Sequence, residues 1–226
     1  MSNDAAARGK SGAGDISAGV SGGVVIYHGG NLMAFLTESE LRLKAARIVR
    51  VAQKSASNLI EASRNYPRDH EFDIFLSHSF RDADLILGLK QELEDFKYSV
   101  YVDWIVDKEL ERSKVTKDTA DLLKVRMQHC KCLIFSTSEN SPNSKWMPWE
   151  LGYFDALKGK VAILPIVQQT DNSDNFRGQE YLGLYPYVVK SGAAGGAMAL
   201  WISDSPSKYT SLRKWLSGGV LVEHQS

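Results

Sequence analysis

"FDIFLSHSFRDADLILGLKQELE", Phe72–Glu94, changes its period half-way along. Phe72–Ser77 is a short apolar run broken by one acid, and it reads as a strand. From Asp82 to Phe96, Leu85, Leu89, Leu93 and Phe96 recur at helical spacing, which predicts a helix. The turn between them, "SHSFRD", is polar.

The same alternation continues downstream. "SVYVDW" (Ser99–Trp104) reads as a second strand. Thr116 or Asp118 is placed to cap a helix ending near His129. "CLIFS" (Cys132–Ser136) is a third strand, and a Ser/Asn/Pro loop leads to a helix over Trp149–Leu157. "VAILPIV" (Val161–Val167) is a fourth. "YPYVV", "AMALWI" and a helix over Ser207–Leu216 suggest edge elements. Strand and helix in turn predict an α/β fold, a mostly parallel sheet covered on both faces. Ser77, His78, Asp103, Ser136 and Thr137 fall at or just past C-terminal strand ends, whereas Asp73 sits near a strand start. Ligands of open α/β sheets bind at the C-terminal edge. That rule locates a site without naming its chemistry.

Upstream, residues 1–22 are rich in Gly, Ala, Ser and Asp and read as a flexible segment. "GGVVIYHGG" holds a short strand or a turn-flanked apolar patch. From Asn31 to about Arg64 apolar residues recur every three or four positions, through Leu32, Leu36, Leu41, Ala45, Ile48, Ala52, Ala56 and Leu59. This predicts one long amphipathic helix or two shorter ones. "NYPRDHE" around Pro67 breaks the pattern as a linker. The expected division is therefore a flexible segment 1–22, a helical extension 23–66 and a main domain 67–226.

The 226 residues are 43% hydrophobic and 24% charged, enough for one full core with an appendage. Formal net charge is +0, so no general field favours nucleic acid or an acidic membrane. Aromatic residues do not alternate with a basic stripe. No apolar run reaches membrane-spanning length and no signal-peptide pattern opens the chain, so the expected location is cytoplasmic. Cys130 and Cys132, two apart on a strand, are expected on one face as buried thiols. So small a loop does not favour a disulfide, and a metal needs more ligands than this pair. No G-x-G-x-x-G follows any strand, which disfavours a hydride-transferring Rossmann enzyme.

"SKWMPWELGYFDALKG" (Ser144–Gly159) opens an apolar helix with an acid. Pro148 suits the first turn, and the helix dipole favours Glu150 there. The plain reading is an ordinary first-turn glutamate with Trp146 and Trp149 in the core. The functional reading is a carboxylate walled from water by two indoles.

Together, "FDIFLSHSFRDADLILGLKQELE", "SVYVDW", "CKCLIFSTSENSPNSKWMPWELGYFDAL" and "VAILPI" resemble the bacterial branch of the Toll/interleukin-1 receptor (TIR) domain family. The resemblance spans about Glu71 to Val167 and fades toward the C-terminus. It implies a flavodoxin-like fold, a parallel five-stranded sheet flanked by helices. It implies an enzyme that breaks the nicotinamide–ribose bond of NAD+, giving nicotinamide and ADP-ribose or a cyclic isomer, in antiphage signalling. The family's essential glutamate falls on Glu150. Its mobile loop falls on Asp103–Lys117, where this chain has Tyr101-Val-Asp103-Trp104 and a charged run without glycine in place of the common W-x-D and glycine-bearing loop.

The chemistry suits one carboxylate. A neutral base leaves a cationic pyridinium, and the developing oxocarbenium ion needs negative charge beside it. Glu150 is therefore the catalytic candidate, with NAD+ as substrate and neither a resident cofactor nor a metal. Ser77, His78 and Ser79 are candidates to shape the pocket and bind ribose or phosphate, or simply to cap the next helix. Phe80 would contact a base or pack. Asp103 would bind a ribose hydroxyl or orient Arg81. Trp104 would stack on adenine or meet a neighbouring subunit. Trp146 and Trp149 would line the pocket. The resemblance also implies self-association through TIR–TIR contacts, with a separate sensor or effector protein. Two rivals stand beside the enzyme: a non-enzymatic TIR adaptor, and a hydrolase of deoxynucleoside monophosphates.

Overall fold

The computed structural model describes residues 25–28, 31–53, 66–107, 116–168, 180–193 and 196–224. Residues 1–22, the helical stretch expected over 54–65 and most of the charged run after Asp107 lie outside the described residues.

The main repeat runs β4 (Phe72–Ser77), α2 (Ala83–Asp95), β5 (Val100–Tyr101), α3 (Asp103–Val106), α4 (Lys117–Gln128), β6 (Cys130–Thr137), α5 (Met147–Lys158), β7 (Val161–Val167) and β8 (Tyr187–Gly192). β4 pairs in parallel with β5 and β6, β6 with β7, and β7 with β8. This gives five parallel strands in the order β5-β4-β6-β7-β8.

The sheet as a whole is mixed, not the purely parallel five-stranded sheet expected. β9 (Met198–Ser205), β10 (Lys208–Ser211) and β11 (Val222–Glu223) extend it antiparallel from β8, with the short α6 (Leu212–Leu216) after β10. Only a few residues separate β8 from β9 and β9 from β10, and so short a connection can join only antiparallel neighbours. The helix expected over Ser207–Leu216 is thus half strand, and α6 begins where the Ser211 hydroxyl accepts the Lys214 N–H.

The N-terminal extension also differs from its expectation. β1 (Val25–His28) and β2 (Asn31–Ala34) form an antiparallel hairpin, and β3 (Leu36–Thr37) follows. The helix α1 begins only at Glu38 and is described to Gln53. Its start is fixed by a reciprocal cap. The Thr37 hydroxyl accepts the Glu40 N–H at 3.3 Å, and the Glu40 carboxylate accepts the Thr37 N–H at 3.2 Å. β7 and β8 pair only at Ile163↔Tyr187. Beyond that point β2 meets β8 (Ala34↔Lys190) and β3 meets β7 (Leu36↔Ile166), closing the gap between them.

Two apolar clusters cover the sheet. One joins Ile74, Leu76, Val100, Ile134, Ala162 and Leu164 to Leu85, Leu89 and Leu93 of α2 and Leu41 of α1. The other joins Phe75, Tyr101, Leu133, Phe135 and Ile163 to Leu123 and Met127 of α4 and Leu151 and Phe154 of α5. Alternation sets in at Ile74 and Cys132, so Cys130 packs in the second cluster and Cys132 in the first. The two thiols are buried, but they do not share the face expected of them. α1 crosses α2 at Gly88, where an added Cβ would lie 2.0 Å from the Leu41 carbonyl oxygen. No helix among the described residues is long and apolar enough to cross a membrane.

Candidate functional site

The parallel strands bring their C-terminal ends to one edge, and the loops there carry polar side chains. Thr137 ends β6 and Ser138 follows it, Ser77 ends β4 and His78 to Asp82 follow it, and α5 begins nearby. Its first turn is set by Pro148, and its end by Gly159 in the left-handed region (φ 60°). Glu150 lies in that first turn, its N–H bonded to the Trp146 carbonyl at 2.8 Å.

The Glu150 side chain is 0% exposed. Ser77, also 0% exposed at the end of β4, donates its hydroxyl to Glu150 Oε2 at 2.6 Å. Ser77 is itself fixed. It lies opposite Phe135 in the β4–β6 ladder, and its carbonyl accepts the Ser136 hydroxyl at 2.9 Å. The carboxylate is therefore enclosed and held from the sheet rather than standing at an open rim. A cavity of about 250 Å³ lies elsewhere, between α1, α2 and β8, lined by Leu41, Lys44, Glu92 and Lys190 among others.

His78, 1% exposed, turns inward. Its Nδ1 lies 2.9 Å from the Leu76 carbonyl, and its Nε2 receives the Trp104 indole N–H at 3.1 Å. Nε2 is thus the acceptor, so Nδ1 carries the proton and donates to Leu76. Asp103 Oδ1 lies 3.5 Å from the same Nε2. Both ring nitrogens thus have partners inside the protein, and the ring holds Trp104 in place. Ser79 is buried, and its carbonyl accepts the Asp82 N–H at 3.0 Å, a turn into the next helix. Phe80 stands out at 65% exposure. Trp146 is buried and packs edge-on against half-buried Trp149, which stacks on Tyr153 at 5.7 Å. The candidates therefore gather as Ser77 with Glu150, His78 with Asp103 and Trp104, and Trp146 with Trp149, leaving Phe80 outermost.

Two supporting networks escaped the sequence reading. Buried Asp82 accepts the Ser138 hydroxyl and the Asn140 amide (2.6 Å), tying the loop after β4 to the loop after β6. An acid just ahead of an apolar helix was the available signal. Arg126 is 1% exposed and forks onto Asp107 at 2.9 and 2.7 Å. It also donates to the Pro67 and Tyr66 carbonyls. The Tyr101 hydroxyl completes the set at 2.8 Å from Asp107. Burial, then the charges of Asp103 and Asp107, push that phenol well above its usual range, so it stays a donor. Asp107 is thereby held at the end of α3. Among the described residues no group of three His, Cys, Asp or Glu side chains is placed to hold a metal ion.

The family model described as "TIR domain" matches residues 74–188, from β4 through the start of β8. The chain belongs to the TIR-domain family. A protein of Bacillus cereus (strain MSX-D12) named "Probable 3' cyclic ADP-D-ribose synthase ThsB'" is 49% identical over 191 residues, covering 81% of this chain and 98% of that one. A second, from Cytobacillus dafuensis and named "Putative cyclic ADP-D-ribose synthase TIR2", is 33% identical over 114 residues, half of this chain but only 30% of its own length. The alignment with the Bacillus protein is longer than the TIR match, so it takes in elements flanking this TIR core as well.

Proposed function

We propose that this TIR protein cleaves NAD+ at the nicotinamide–ribose bond and closes the ADP-ribose into a cyclic isomer, as a signal in bacterial antiphage defence. The observation that carries the reading is the near full-length similarity to the Bacillus protein named as a 3' cyclic ADP-D-ribose synthase. The enclosed carboxylate of Glu150 agrees with it.

The chemistry follows from that carboxylate. Nicotinamide leaves with the bonding electron pair as a neutral base, and Glu150 offsets the positive charge growing on the ribose. Ring closure requires a hydroxyl of the same dinucleotide to attack C1 and lose its proton before water arrives. A carboxylate removed from solvent, with Trp146 and Trp149 beside it, suits closure over hydrolysis. Phe80 and Trp104 are the surfaces for the adenine half, and Asp103 belongs to the same loop ends. Substrate entry requires the enclosure to open, and self-association through TIR–TIR contacts is the step that would open it. A separate protein would read the product.

The test is nicotinamide release from NAD+ by the purified full chain at high concentration, with products separated by chromatography and mass detection. Glu150→Gln is expected to lower release by about a thousandfold, as loss of the main electrostatic stabiliser. Release that survives this substitution refutes the assignment. The full burial of Glu150 also favours a second reading, a TIR adaptor without turnover. Absence of release under every assembly-promoting condition would select it.

A further inference from the structure

The reaction proposed above places one charged group at zero exposure, where an ionised carboxylate is costly unless donors face it. Ser77 is such a donor, and its position is unusually well determined. It sits at the last residue of β4, inside the ladder with β6. Its carbonyl is tied to Ser136, its neighbour His78 is pinned by Leu76 and Trp104, and its side chain has no exposure. Glu150, by contrast, sits on the opening turn of a helix that packs on the sheet through Leu151 and Phe154 and is tied to β6 at its far end, where Lys158 donates to the Cys130 carbonyl at 2.6 Å. A hydroxyl fixed by the sheet thus holds a carboxylate carried by a helix, at 2.6 Å.

We infer that Ser77 is a positioning residue for turnover: its hydroxyl orients the Glu150 carboxylate toward the ribose. This rests on the NAD+-cleaving reading. It also replaces the expectation that Ser77 itself binds ribose or phosphate, because its hydroxyl is directed to the acid. A displaced carboxylate still leaves the substrate surfaces in place, so the loss should fall on kcat and not on KM.

The decisive pair is Ser77→Thr and Ser77→Val, measured in the full chain under assembly-promoting conditions. The two side chains have nearly the same shape, and only threonine keeps the hydroxyl. Any cost of the added methyl group in this buried place is shared by both. Threonine is expected to turn over about a hundredfold faster than valine, in line with the penalty for a misplaced catalytic group. KM for NAD+ should agree within about threefold between them, since uniform binding is untouched. Equal kcat for the pair, or a difference that appears in KM, overturns the inference. Should crowding prevent either from folding, as read by thermal melting, Ser77→Ala takes their place. It leaves space and removes the donor, so kcat should fall about a hundredfold at unchanged KM, and turnover equal to that of the unsubstituted chain overturns the inference. Glu150→Gln run alongside separates the two levels. An inactive glutamine variant with an equal threonine–valine pair removes only the role of Ser77. An active glutamine variant removes the catalytic reading beneath it.

Discussion

Gly88→Ala adds a single methyl group where α1 crosses α2. The new Cβ would stand 2.0 Å from the Leu41 carbonyl oxygen and 2.7 Å from its carbonyl carbon. Ordinary contact begins at 3.4 Å, so the helices must part by about 1.4 Å (3.4 − 2.0) at that point. The obstacle is backbone on both sides, and no side chain can swing away. Parting the helices loosens Leu41, now 1% exposed, and the salt bridges from Lys44 to Glu92 and Asp95. Partial loss of a buried leucine costs about 2 kcal/mol and the overpacking about 2 kcal/mol more. The better helix propensity of alanine returns about 1 kcal/mol. The net loss is about 3 kcal/mol, or about 6–12 °C in melting temperature for a domain of this size. Gly152→Ala in α5 is the control. Nothing lies within 4 Å of its added Cβ, so propensity alone should raise stability by about 1 kcal/mol. The assay is thermal unfolding of both variants in one buffer. A melting temperature for Gly88→Ala within about 2 °C of the parent would refute the reasoning, since it would mean that α1 does not dock on α2 as described.

Arg126→Leu leaves Asp107 and the Tyr66 and Pro67 carbonyls without their buried cation. Chemical denaturation should show a loss of about 3 kcal/mol, and a loss under about 1 kcal/mol would mean the network is dispensable. Burial pushes the Glu92 carboxyl up, but hydrogen bonds from Lys190 and Lys44 outweigh it and hold the group below its ordinary value. A depressed carboxyl contributes stability above its unfolded value of about 4.3 and loses it as pH falls through the folded value. Melting temperature should therefore drop more steeply below pH ~4.3 in the parent than in Glu92→Gln, and parallel curves would exclude this contribution. Burial pushes both the Cys130 and Cys132 thiols up. Neither should react with a thiol reagent at pH ~8 until denaturant is added, and one fast native thiol would contradict the packing.

The elements legible in sequence were those whose own residues carry a strong period. β7 matched its expected bounds of Val161–Val167, and α2 came within a residue at each end of Asp82–Phe96. β5 came out shorter than "SVYVDW" because Asp103 and Trp104 turn into α3, with Val102 as the last extended residue. β1 falls where "GGVVIYHGG" offered a short strand, whereas β2 and β3 were illegible because they also rest on distant strands. Ala34 pairs with Lys190 as well as with Val25, and Leu36 pairs with Ile166. Composition marked Glu150 and the tryptophans as unusual, and polarity at strand ends marked Ser77 and His78. That the serine faces the glutamate, while the histidine faces Trp104, is a tertiary fact with no trace in spacing.

The wedge between β7 and β8 bears on where this chain can be cut. A clone trimmed to residues 74–188 would lose β1 to β3, all but the first two residues of β8 and the antiparallel strands after it. The end of β7, where β3 pairs in the full chain, would then stand open, and bare strand edges recruit other chains. Such a fragment would tend to precipitate or form fibrils, and its silence in an assay would speak of lost solubility and not of lost chemistry.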